Sequence, residues 1–185
     1  GYKSRDINVL ILDDPVDSFW TSSTPAFKEK NIKSVTRGLD ELEKMDSKKK
    51  NDNEKKDEKS IQPLIVLLKE KLKDRVKDII ASSRLTDSPV CLVADESAMD
   101  PQLEKILQQH NQLNHGPSLK IMEINPDHKL IKKLAKMSKS KELVGEIENI
   151  AILLYEQAKI VDGDKPSDPI GFSKKLIDTI TASIQ

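Results

Sequence analysis

Cysteine occurs once, at Cys91, so no disulfide can form within the chain, and that fits a reducing compartment. Glycine is scarce. The six glycines, at positions 1, 38, 116, 145, 163 and 171, never stand close together, which excludes a glycine-rich phosphate loop. Neither sign of charge is in excess: 31 Lys+Arg stand against 31 Asp+Glu, so neither the broad basic footprint of a nucleic-acid binder nor an acidic tail is expected. The longest unbroken apolar run is six residues, Ile150 to Tyr155, too short to span a bilayer. No secretory pattern is visible at the start. Gly1 in place of Met is what a piece of a longer protein would show.

Apolar material is nevertheless plentiful. Leu, Ile, Val and Phe supply 51 of 185 residues, ample for a core, and the length suits one domain or a domain plus a fragment of another. Residues 7–12, Ile-Asn-Val-Leu-Ile-Leu, read as a buried strand. Asp14-Pro15 then opens a helix, the carboxylate capping free amides and the proline having none to satisfy. Val16, Phe19 and Trp20 form its apolar side, and a second strand is expected near Ile32–Thr36.

From Asp40 to Ser60, 15 of 21 residues are charged, with no aromatic among them. Such a stretch buries too little surface to offset backbone ordering and reads as a linker. The lysines from Lys48 to Lys59 suggest a nucleic-acid module, but interleaved acids favour the linker. After it, Ile61, Leu64, Ile65, Leu68 and Leu72 share a helical face, with Ser60 placed to cap and Pro63 in the first turn. Residues 76–81, 89–94 and 119–124 read as three strands, and Met99–Leu107 has helical spacing. Asn125-Pro126-Asp127 repeats the cap-plus-proline opening, with His128 in the first turn of the helix in a structural role. Leu143, Ile147, Ile150, Leu154, Ala158 and Val161 make a helical stripe. Asp168-Pro169 opens a last helix carrying Phe172, Leu176, Ile177, Ile180 and Ile184. The stripe on these two helices exceeds what a pair needs to cover itself, and periodicity alone leaves open whether the surplus meets the chain's own core or another protomer. The class is α+β.

Chemistry-bearing constellations are few. Asp13 and Asp14 at a strand end resemble the acidic pair of a metal-dependent phosphohydrolase, and this small α/β enzyme is the alternative reading. His110, His115 and His128 lack zinc-ligand spacing, and Cys91 in an apolar strand behaves as a small hydrophobe. No catalytic or metal-binding residue is assigned.

Asp14-Pro15-Val16-Asp17-Ser18-Phe19-Trp20, Lys33 to Arg37, Arg75 to Asp78, Arg84 to Pro89 and Asn125 to His128 occur in an order that resembles the C-terminal third of the heat shock protein 90 family, most closely its bacterial branch. The resemblance implies that residues 1–38 end a middle domain, 39–60 link, and 61–185 form a C-terminal dimerisation domain whose helix pair builds a four-helix bundle across a homodimer. Leu143, Ile147, Ile150, Leu154, Ala158, Leu176, Ile177, Ile180 and Ile184 would form that interface. The helix from Met99 to Leu107 matches the family's exposed amphipathic helix. Met99, Leu103, Ile106 and Leu107, spaced 4, 3 and 1, would therefore contact partly folded clients, unless they pack on the chain's own sheet. Phe19 and Trp20 add a second apolar surface by resemblance in position. The implied whole is a cytoplasmic stress-response chaperone that hydrolyses ATP with magnesium at a site upstream, leaving this stretch without cofactor or catalysis, and without nucleic acid or membrane as partner.

Overall fold

The computed structural model describes residues 2, 6–35, 52–95, 98–99, 101–112, 116, 118–140 and 144–184. Helix α1, Pro15–Ser23, opens as expected. The Asp14 carboxylate accepts from the Val16 amide at 3.0 Å, and Asp17 reaches back to accept from the Asp14 amide at 3.0 Å. A hairpin follows, β1 Ala26–Phe27 against β2 Lys30–Asn31, turned by Lys28 and Glu29 at φ 45° and 62°. Two left-handed residues make the turn whose twist suits a two-residue hairpin. The second strand therefore lies ahead of Ile32–Thr36, where it was expected. Residues 7–12 are not a strand at all. A strand exists only by pairing, and no described strand lies beside them, so Leu10 and Ile11 stand 78% and 84% exposed.

Helix α2 spans Asp52–Leu72, so Ser60 is inside it rather than capping it, and Pro63 sits in its interior. Residues 52–60, expected within the linker, are helical, and 40–51 lie outside the described residues. Glu and Lys favour helix without supplying an apolar stripe, which hid this extension from a reading by periodicity. Ile61, Leu64, Leu68 and Leu72 are fully buried at spacings of 3, 4 and 4.

Strands β3 Asp78–Ala81, β4 Val90–Val93 and β5 Ile121–Ile124 form a three-stranded sheet in the order β3-β5-β4. β3 runs parallel to β5 (Ile79 beside Met122) and β4 antiparallel (Cys91 beside Glu123). Helix α3, Pro101–Gln109, lies in the connection between β4 and β5, and α4, Lys129–Met137, follows β5. The cap of α4 is His128, whose Nδ1 accepts from the Leu130 amide at 3.2 Å, and not Asn125 as read from the sequence. Helices α5, Val144–Val161, and α6, Pro169–Ile184, complete the chain. The core runs from Ile61 to Ala158: α2, α4 and α5 close on the sheet through Leu64, Leu68, Met122, Ile131 and Ile147. α6 adds no buried residue.

Candidate functional site

Two apolar surfaces and the polar contacts that aim them form the candidate site. Helix α3 begins at Pro101, which leaves Met99 exposed on the lead-in. Leu103, Ile106 and Leu107 are half-buried. The polar side of α3 is the anchored one. Glu104 is buried and accepts from the Ser118 amide at 2.7 Å, while Lys105 Nζ donates to the Asp162 carbonyl and to Asp164 Oδ1, each at 3.0 Å. Helix α1 lies against α3, so the structure brings together the elements carrying Phe19, Trp20 and the Leu103–Leu107 edge. Phe19 and Trp20 are themselves exposed.

The terminal helices divide the expected interface. Ile147, Leu154 and Ala158 lie buried in the chain's own core, where α5 packs on β4 and α2, and Ile150 is half-buried against the same cluster. Those side chains pack against the chain's own elements. Leu143 lies outside the described residues. Leu176, Ile177, Ile180 and Ile184 remain exposed along α6, and so does Ile170, at 82%. Asp168 caps this helix by accepting from the Gly171 amide at 3.0 Å, and Lys175 Nζ donates to Asn149 Oδ1 of α5 at 2.6 Å.

Several organising residues escaped sequence reasoning. Glu123, fully buried on β5, accepts at Oε2 from Arg84 Nε (2.8 Å) and Ser82 Oγ (2.7 Å), and its Oε1 is buried without a partner. Arg84 also donates from Nη1 to the Val35 carbonyl at 2.6 Å, tying the segment before α2 to the sheet. Burial opposes the Arg84 charge, but the bond and charge of Glu123 win and raise its pKa. Burial first, then Glu123, pushes the Cys91 thiol up to about 11, so it is a poor nucleophile. Asn125, read as a helix cap, instead donates to the Thr86 and Ser88 carbonyls and accepts from the Asp127 amide. Glu156, also buried, binds Arg75 Nη1 at 2.9 Å and the Ser167 amide at 2.9 Å. A buried acid and a buried amide break the apolar alternation of a strand or helix, and that is the sequence signal each leaves.

The phosphohydrolase alternative finds no support. Asp14 is engaged as a cap, and the described residues contain no group of three His, Cys, Asp or Glu side chains able to hold a metal. His110 sits just past the end of α3, and His115 lies outside the described residues. No described helix is long and apolar enough to cross a membrane.

The family model described as Hsp90 protein matches residues 1–185. The chain belongs to the Hsp90 family. Among curated Hsp90 relatives, the chaperone protein HtpG of Roseobacter denitrificans is 40% identical over 180 residues, covering 95% of this chain and 29% of that protein. HtpG of Nitrobacter winogradskyi is 42% identical over 178 residues, 96% of this chain and 28% of that protein. HtpG of Wolbachia pipientis wMel is 41% identical over 179 residues, 95% and 28%. The chain thus spans under a third of the length of these Hsp90 relatives.

Proposed function

We propose that this stretch gives an Hsp90-type chaperone its self-association and a client-contacting surface. The observation that carries the reading is α6: a helix with an apolar side, buried nowhere, at the edge of a complete core. Exposed apolar patches of this kind mark interfaces. Ile170, Leu176, Ile177, Ile180 and Ile184 would each contribute roughly 1.5–3 kcal/mol if fully buried. Counted over two protomers, that sum meets or exceeds an association cost on the order of 4–15 kcal/mol. The interface is accordingly narrower than the sequence pattern suggested, centred on α6, with α5 as the scaffold that holds it to the core.

The α1–α3 surface is the client side of the proposal. Met99, Phe19 and Trp20 are exposed, and the Leu103–Leu107 edge is half-buried, which suits adaptable contact with apolar segments of unfolded chains. In this reading residues 1–38 close a middle domain and 61–185 form the dimerisation domain. In the same reading, ATP and magnesium bind in regions of the family outside the matched stretch, in keeping with glycines too dispersed for a phosphate-cradling loop. Two assays test the proposal. Light scattering should return a dimer mass that falls to a monomer in Ile177→Ser/Ile180→Ser. Suppression of aggregation of a heat-denatured client should weaken in Phe19→Ser/Met99→Ser without loss of folding. A monomeric wild type, or undiminished suppression, removes the corresponding half.

A further inference from the structure

We propose that Lys105 is a positioning residue that latches the client-contact helix α3 to the C-terminus of α5. The aim of α3 is thereby coupled to the turn between the two terminal helices. Helix α5 ends in a fully formed cap. Gly163 takes φ +82°, its amide bonds the Ile160 carbonyl at 3.1 Å, and the Asp164 amide bonds the Lys159 carbonyl at 2.9 Å. This six-to-one and five-to-two pattern satisfies two of the last carbonyls of the helix and leaves that of Asp162 directed outward. The negative end of the helix dipole, together with the Asp162 and Asp164 carboxylates, makes the turn a cation-binding corner.

Two lysines from outside α5 fill that corner. Lys120, at the entry to β5, pairs with Asp162 and, at 3.3 Å, with Asp164. Lys105, from α3, bonds the Asp162 carbonyl and Asp164 Oδ1, both at 3.0 Å. Lys120 secures the turn to the sheet, and Lys105 secures α3 to the turn. Glu104, which accepts from the Ser118 amide, is a second polar side chain that holds α3 in place. A helix seated by its polar side keeps its apolar edge available, and a latch made of partly exposed charges opens more readily than a packed core. Gly163 would place a Cβ only 3.9 Å from Lys105 Nζ, in ordinary contact, so a substitution there acts through the strained φ and not by collision.

The inference rests on the proposed client role of α3 only for its functional meaning; the latch itself is read directly. Amide hydrogen exchange, followed by mass spectrometry on the full 185-residue chain, tests it. In Lys105→Met, peptides covering 101–109 should exchange faster by on the order of tenfold, the loss expected for a charge-assisted bond and a partly exposed ion pair, while α2 and the sheet keep wild-type protection. Lys105→Arg should restore slow exchange. Gly163→Ala, which alters no α3 residue, should also accelerate 101–109, because the latch site is displaced. Wild-type exchange at 101–109 in Lys105→Met, or acceleration spread evenly over α2 and the sheet, would overturn the proposal. Light scattering of the same samples keeps the dimer reading separately accountable: a monomeric wild type defeats that reading without touching the latch.

Discussion

Helices α5 and α6 adjoin in sequence and carry apolar side chains at helical spacing, yet their fates differ. α5 buries Ile147, Ala151, Leu154 and Ala158, whereas α6 buries nothing. Composition does not separate them; position does. α5 reaches β4 and α2, while the main packing of α6 among the described elements is on α5. An apolar stripe states that a face must be covered and is silent on what covers it.

The sharpest way to break this comparison is to place a charge on the buried side of α5 and polar groups on the exposed side of α6. Leu154→Asp should unfold the domain, since it adds a buried, unpaired carboxylate to a loss of packing that for Leu→Ala alone is about 2–5 kcal/mol. Loss of the cooperative transition in circular dichroism checks it. Leu103→Ser/Ile106→Ser, at half-buried positions, should cost only about 1–2 kcal/mol in urea unfolding, below the range for core sites, while client holding weakens. A larger drop would mean that the α3 edge is core. Ile177→Ser/Ile180→Ser on α6 should change stability by less than about 0.5 kcal/mol at dilutions where dimers have dissociated, yet abolish the concentration dependence of the melting temperature.

The smallest effect is in acid. Partial burial raises the Asp164 carboxyl, but the Lys105 bond and the charges of Lys120 and Lys105 outweigh it and hold the pKa below its ordinary 3.8. A depressed acid contributes stability that is fully present above 3.8 and is lost as pH falls through the lower folded value. The stability gap between wild type and Asp164→Asn, from denaturant titrations, should therefore stay flat at neutral and mildly acidic pH and close only below 3.8.

Much of the fold was legible because its signals are local. Asp14-Pro15 and Asp168-Pro169 announce helix starts, and the β-branched runs at 78–81, 90–93 and 121–124 announce strands. The misreadings share one cause, that the deciding partner lies elsewhere in the chain. Residues 7–12 look like a strand but have no described neighbour to pair with. Asn125 looks like a cap but spends its amide on Thr86 and Ser88, nearly forty positions back. The start of α2 was hidden because Glu and Lys carry helix propensity without periodicity. At the candidate site, Leu103, Ile106 and Leu107 were legible by helical spacing, Met99 falls ahead of the helix, and Lys105, Asp162 and Asp164 were not legible: their meeting depends on a fold that brings α3 to the end of α5.

The division of labour between the two terminal helices rests on α6 meeting a second copy of itself. Sedimentation equilibrium of the wild-type chain at tens of micromolar tests this most directly. A species of twice 20.8 kDa, dissociating on dilution and absent in Ile177→Ser/Ile180→Ser, is the predicted result; a single 20.8 kDa species throughout would contradict it.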